Sequence, residues 1–247
     1  MPSDSATGED VVLNQAHVRC TPQVYDHYTA HYVAPFDQVM GRRVLEEAIP
    51  RSPGATLLDV GTGTARFLVY LARMPELEGL RIVGSDVDPE MIEQGRRAIG
   101  SEGFGNRIEL MVDDAHDMRL PSDFADIIVS RSTLHHWQDR PRALREIFRL
   151  LKPGGIAMIH DVRRDPDPAA LAEFDRLRDE ARKELIRLGI AEDPRLGKSI
   201  TKEKFTVPEV REFLREAGLL DYTQIFRPER GLMALGFALE IHKPVVR

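Results

Sequence analysis

The stretch Leu57-Leu58-Asp59-Val60-Gly61-Thr62-Gly63-Thr64-Ala65-Arg66-Phe67 decides the fold. Apolar residues run into an acid, two glycines follow at alternate positions, and helical spacing takes over at Phe67, Leu68 and Leu71. This order predicts a buried strand turning into a helix, with glycines in the turn that let a ligand approach the backbone. Asp59 stands two residues before the first glycine, at the strand's carboxyl end. A carboxylate there can receive a cationic ammonium directly or through water. A dinucleotide fingerprint would need a third glycine three residues after Gly63, where this chain has Arg66.

Working outward, Arg81-Ile82-Val83-Gly84-Ser85-Asp86 reads as a second short strand ending in an acid placed to hold ribose hydroxyls. Ile108 to Ala115 reads as a third strand with Asp113 and Asp114 at its end, and Phe124 to Arg131 as a fourth. Leu150-Leu151-Lys152-Pro153-Gly154-Gly155 is a turn before a fifth, because Pro153 cannot extend a helix and paired glycines allow positive φ. Strand and helix patterns alternate from Thr56 to Asp161, the signature of βαβ units around a parallel sheet.

These stations together resemble the class I S-adenosylmethionine-dependent methyltransferases, on the small-molecule side of that family, over roughly Val44 to Asp161. The pattern departs once, with Ala65 where a third glycine is common. The resemblance implies an α/β, three-layer Rossmann-like fold. Its sheet would be mostly parallel and seven-stranded with a closing antiparallel strand, with lid helices at the N-terminus and a helical insertion after the fifth strand. It implies S-adenosylmethionine as cofactor and S-adenosylhomocysteine as product. The cofactor set carried over is Asp59, Gly61, Gly63, Asp86 on the ribose, Val87, Asp114 on the adenine amino group, Ala115 through its backbone N–H, Arg131 and Tyr28.

One domain is expected over residues 1–247. Residues 1–50 would form the N-terminal lid helices, 51–161 the cofactor-binding core, 162–205 a helical insertion or cap, and 206–247 a helix and strand pair. Tyr25, Tyr28, Tyr32 and Phe36 recur at helical spacing. Leu171, Phe174, Leu177, Ala181 and Leu185 form an apolar stripe on a highly charged helix. Val207 to Ala217 predicts a helix stopped at Gly218, followed by strands over Tyr222 to Phe226 and Leu232 to Ile241.

The formal net charge of −6 argues against the broad basic face that a phosphate backbone requires, so a small molecule is expected rather than nucleic acid. The single cysteine, Cys20, cannot form an internal disulfide. No long apolar span stands out, and the expectation is a cytoplasmic protein without a membrane partner. The sequence leaves the oligomeric state open.

Ser132-Thr133-Leu134-His135-His136-Trp137 leaves the fourth strand at the end where ligands bind in such sheets, and Ile159-His160-Asp161 leaves the fifth. If the strands are neighbours, these residues converge. A histidine titrating near neutrality suits a general base, and a carboxylate can fix its tautomer. The preferred pair is His136 with Asp161, with His135 the competitor; the alternative is a histidine that only packs beneath the loop. Tyr25, Tyr32, His160 and Arg163 are candidate substrate contacts, Arg163 for an acidic group. No metal is expected, although His135, His136, His160 and Asp161 could be assembled into a metal site. The expected reaction is methyl transfer to O, N or C of a small metabolite. The alternatives are a non-transfer reaction on the same fold, such as cyclisation, or methylation of RNA.

Overall fold

The computed structural model describes residues 34–51, 53–189, 201–202 and 204–245. Cys20, Tyr25, Tyr28 and Tyr32, and most of the expected lid, lie outside those residues. The strands are β1 (Thr56–Val60), β2 (Arg81–Asp86), β3 (Ile108–Val112), β4 (Ala125–Arg131), β5 (Leu151–Val162), β6 (Thr223–Phe226) and β7 (Gly236–His242). They form one seven-stranded sheet in the order β3-β2-β1-β4-β5-β7-β6. The first five are mutually parallel, whereas β7 runs antiparallel to both β5 and β6.

Apolar residues on the two faces of each central strand feed two separate cores. Leu57, Ile127, Val129, Ile156 and Met158 pack on one side with Phe67, Leu68 and Leu71, and with Met40 and Val44 of helix α1 (Ala34–Ala48). Leu58, Val60, Ile128, Ala157 and Ile159 pack on the other with Leu144 and Ile147 of α4 (Arg140–Leu150) and Val210 and Leu214 of α6 (Val207–Ala217). This is the three-layer arrangement, and it explains why the inner strands are buried on both faces. Each such side chain withdrawn from water contributes about 1.5–3 kcal/mol.

Helix α2 (Arg66–Ala72) has only 7 residues, too few to be stable alone; burial of Phe67, Leu68 and Leu71 holds it. Its N-cap is Ala65, in the left-handed conformation at φ 60. A glycine would adopt that backbone without strain, which accounts physically for the third glycine common at this point of the motif. Between β2 and β3 lies α3 (Pro89–Ser101), capped by the Asp88 side chain accepting from Glu90 N–H.

After β5 the chain enters the insertion, α5 (Pro168–Arg187), which starts where the Asp167 carboxylate accepts from Ala170 N–H at 2.9 Å. Gly218, with φ 74, ends α6 as the sequence predicts. The last segment differs from expectation. Leu232–Leu235 is a 3-10 turn rather than strand, and β7 begins only at Gly236. Ala234 and Leu235 pack instead against Ala170 and Phe174 of α5, so the insertion is seated on this turn.

Candidate active site

The sheet reverses its winding between β1 and β4, and the crevice at their carboxyl ends is where an open α/β sheet accepts ligands. A cavity of about 890 Å³ opens there. One end is built by the loops after β1, β2 and β3, and the other by β4, β5, α5 and the turn before β7.

At the first end the glycine turn is held to β2, with Gly61 and Thr62 N–H both donating to Ser85 O at 2.8 Å. Gly61 has φ +76, and a Cβ there would meet Thr133 Cγ2 at 2.3 Å, so the cavity wall at this position is bare backbone. Gly63 N–H donates to Asp86 Oδ2 at 2.8 Å, and Asp88 N–H to Asp86 Oδ1 at 3.0 Å. Both Asp86 oxygens are thus fixed by backbone donors, and the residue lines the cavity. Val87 is 57% exposed at the cavity wall, beside Met91. Bare glycine backbone, a two-oxygen acceptor and an adjacent apolar face fit a nucleoside.

Asp114 and Ala115 line the same end. Asp114 Oδ1 accepts from His116 N–H at 3.0 Å and from His116 Nδ1 at 2.6 Å. Because His116 Nε2 accepts from Asp139 N–H, Nδ1 carries the imidazole proton. Burial tends to raise the Asp114 carboxyl, but the His116 hydrogen bonds outweigh it and hold it below its ordinary value.

Asp59 is placed differently from the expectation. It is 2% exposed, accepts from the Thr62 hydroxyl at 2.9 Å, and stands behind the glycine turn rather than in the cavity wall. Burial pushes its carboxyl up to about 6, against the pull of Arg131 and the Thr62 hydroxyl. Arg131 does line the cavity, at the end of β4. Its guanidinium lies 4.1 Å over the Phe67 ring and is ion-paired to Asp37, tying α1 to the sheet.

At the second end the expected histidine pair needs correction. Asp161 is paired with His135, not His136. His135 Nδ1 lies 2.9 Å from Asp161 Oδ2, and His135 N–H donates to the same oxygen at 3.1 Å. The cause is local. Ser132 takes a left-handed φ of 54 with its N–H on His160 O, and the 3-10 turn Leu134–His136 then buries Leu134. That turn aims His135 inward at β5 and leaves His136 exposed at the cavity, its ring 3.8 Å from that of His135. Asp161 is 5% exposed. Burial acts to raise its carboxyl, but the His135 hydrogen bond, the charges of His135 and Lys204 and the Val162 N–H hold it below its ordinary value.

His160 lines the cavity next to Arg131 in the β4–β5 register. Burial first, and the Arg131 charge second, lower its pKa to about 4, so its imidazole is neutral at pH 7. Arg163 also needs correction. It is 3% exposed, its guanidinium is held by Asp165, and it does not reach the cavity. Its own N–H donates to Leu235 O at 2.8 Å.

Sequence reasoning missed Lys204, Phe174, Met233 and Leu235, all of which line the cavity. Only the stripe containing Phe174 gave a signal, as an apolar face needing cover. Among the described residues no group of three or more His, Cys, Asp or Glu is arranged to hold a metal, and no helix is long and apolar enough to cross a membrane.

Comparison with known proteins agrees with this geometry. Residues 58–159 match the family described as Methyltransferase domain. Over 119 residues the chain is 32% identical to a ubiquinone/menaquinone biosynthesis C-methyltransferase of Geotalea daltonii, covering 48% of this chain and 50% of that protein. It is 36% identical to phosphoethanolamine N-methyltransferase 1 of Arabidopsis thaliana over 52% of this chain and 25% of that one. The chain thus spans half the length, or less, of these curated relatives. A crystal structure of a SAM-dependent methyltransferase from Aquifex aeolicus shares the fold, with TM-score 0.60 at 19% identity, over 92% of this chain and 100% of that one. The glycine turn and the acids ending β2 and β3 all lie within residues 58–159, the region that matches the methyltransferase-domain family.

Proposed function

We propose that the chain transfers the methyl group of S-adenosylmethionine to a small-molecule acceptor, with His135 as the base that removes the acceptor's proton. The observation that carries this reading is one continuous cavity, walled at one end by Gly61, Gly63 and Asp86 and at the other by the His135–Asp161 pair. When bound, the cofactor supplies an electrophilic methyl on a sulfonium. Asp86 would accept from both ribose hydroxyls, Val87 would pack on the adenine, and Asp114 and the Ala115 N–H would read its edge. Asp59 would act from behind the turn, through Thr62, rather than by direct contact.

Asp161 keeps the proton of His135 on Nδ1, which leaves Nε2 with a lone pair to accept the proton of an O–H or N–H. The imidazolium so formed is stabilised by the Asp161 carboxylate beside it. Orientation of the acceptor within the cavity contributes the larger part of the rate. His136, exposed at the same wall, would contact the acceptor rather than deprotonate it.

The test is incubation with methyl-labelled cofactor and separated cell fractions. Label entering the small-molecule fraction, with stoichiometric S-adenosylhomocysteine, supports the reading. Label entering RNA or protein instead overturns the acceptor class. Binding of the cofactor with label in no fraction favours a non-transfer reaction.

A further inference from the structure

The second end of the cavity is walled by apolar side chains from separate parts of the chain: Phe36 of α1, Trp137 after β4, Phe174 of α5, and Met233, Leu235 and Phe237 around the start of β7. Among the described residues six aspartates line the whole cavity against three cationic side chains, Arg131, Arg142 and Lys204. Those cations are committed. Arg131 pairs with Asp37, Lys204 lends its charge to Asp161, and Arg142 faces Asp117 at 3.7 Å. An anion brought to the apolar end would meet low dielectric and, among the described residues, cations already engaged with carboxylates, both of which oppose it.

The polar groups at the apolar end are otherwise bonded to one another. Asp161 accepts from His135 N–H, His135 Nδ1 and Val162 N–H. His160 differs: its half-buried imidazole lines the cavity and, among the described residues, has no hydrogen-bond partner. A neutral imidazole offers one donor and one acceptor, and a ligand that fills the cavity would cover them at a cost unless it supplied a partner.

We infer that the acceptor is an uncharged, mainly apolar molecule presenting a phenolic or enolic hydroxyl to His160, and that acceptors bearing a phosphate or carboxylate are rejected. The inference rests on reading this end of the cavity as the methyl-acceptor site. His160 then determines specificity, while His135 serves as base.

The test uses 2-naphthol, naphthalene, 2-naphthyl phosphate and 2-naphthoate, titrated calorimetrically into protein saturated with S-adenosylhomocysteine. 2-Naphthol is expected to bind about tenfold more tightly than naphthalene, the worth of one hydrogen bond to a buried group, and at least tenfold more tightly than the two anions. His160→Leu should erase the preference of naphthol over naphthalene and His160→Gln should keep it, each with S-adenosylhomocysteine affinity within about twofold of wild type. Equal or tighter binding of the phosphate or carboxylate overturns the inference without requiring any variant to fold. So do a hydroxyl preference that survives in His160→Leu and failure of all four probes to bind. Absence of S-adenosylhomocysteine binding in the wild type instead overturns the reading on which the inference rests.

Discussion

Asp161→Asn separates a catalytic pair from a structural one. The wild-type carboxylate, 5% exposed, accepts from His135 N–H at 3.1 Å, His135 Nδ1 at 2.9 Å and Val162 N–H at 2.7 Å. Asparagine has one carbonyl oxygen and an NH2 that must face one of those donors. With the NH2 set against His135 the imidazole must move its proton to Nε2, which removes the lone pair needed to accept a proton from the acceptor. With the NH2 set against Val162 N–H the tautomer is kept, but the imidazolium loses the carboxylate that stabilises it. Loss of a charged acceptor from a buried site should cost about 1.5–3 kcal/mol of stability at pH 7, read as a shift in urea midpoint. Turnover should fall by about 10²–10⁴-fold, the usual worth of a positioned general base, while S-adenosylhomocysteine affinity stays near wild type.

The pH dependence has a definite sign. The folded-state pKa of Asp161 lies below its unfolded value, so its stabilisation is present above the ordinary carboxylate range and is lost as pH falls through the folded pKa. The stability gap between wild type and Asp161→Asn should therefore be full at neutral pH and shrink in acid. A variant that loses the stability but turns over within a few-fold of wild type would refute the base assignment and leave the pair as a fastener between β4 and β5.

Asp59→Asn should behave in the opposite sense. With the wild-type carboxyl raised to about 6, its contribution to stability is present below the unfolded carboxylate value and lost as pH rises through about 6. The amide should accordingly stabilise the cofactor-free protein above that pH by up to about 3 kcal/mol, with little effect at pH 4, as measured by urea unfolding across pH. Gly61→Ala should destabilise by about 1–2 kcal/mol from its φ of +76, plus the cost of a Cβ placed 2.3 Å from Thr133 Cγ2. Adding Thr133→Ser, which removes that methyl, should recover the second part alone; full recovery or none in thermal unfolding contradicts this division.

The fold was legible because its signals are local. The run from Leu57 to Phe67 and the acids closing β2 and β3 are strand, turn and helix patterns within a few residues of one another, and parallel strands buried on both faces admit few alternatives. The choice between His135 and His136 was not legible. It depends on a left-handed Ser132 and a single 3-10 turn, and a change of one residue there exchanges the inward ring for the outward one. Arg163 failed as a substrate contact because Asp165, two residues on, captures it. Lys204 and Leu235 reach the cavity only through tertiary packing of segments remote in sequence from Asp161, and no periodicity records that.

The account stands most directly on the cofactor end of the cavity, and calorimetric titration of S-adenosylhomocysteine into wild type and Asp86→Ala tests it. Asp86 also accepts from Gly63 and Asp88 N–H, so the variant is first shown to unfold cooperatively. The account predicts saturable one-to-one binding to the wild type and a loss of about 2 kcal/mol, roughly thirtyfold in Kd, on removal of the carboxylate that would receive the ribose hydroxyls. Wild-type protein that does not bind S-adenosylhomocysteine, or a folded Asp86→Ala that binds it equally well, would contradict it.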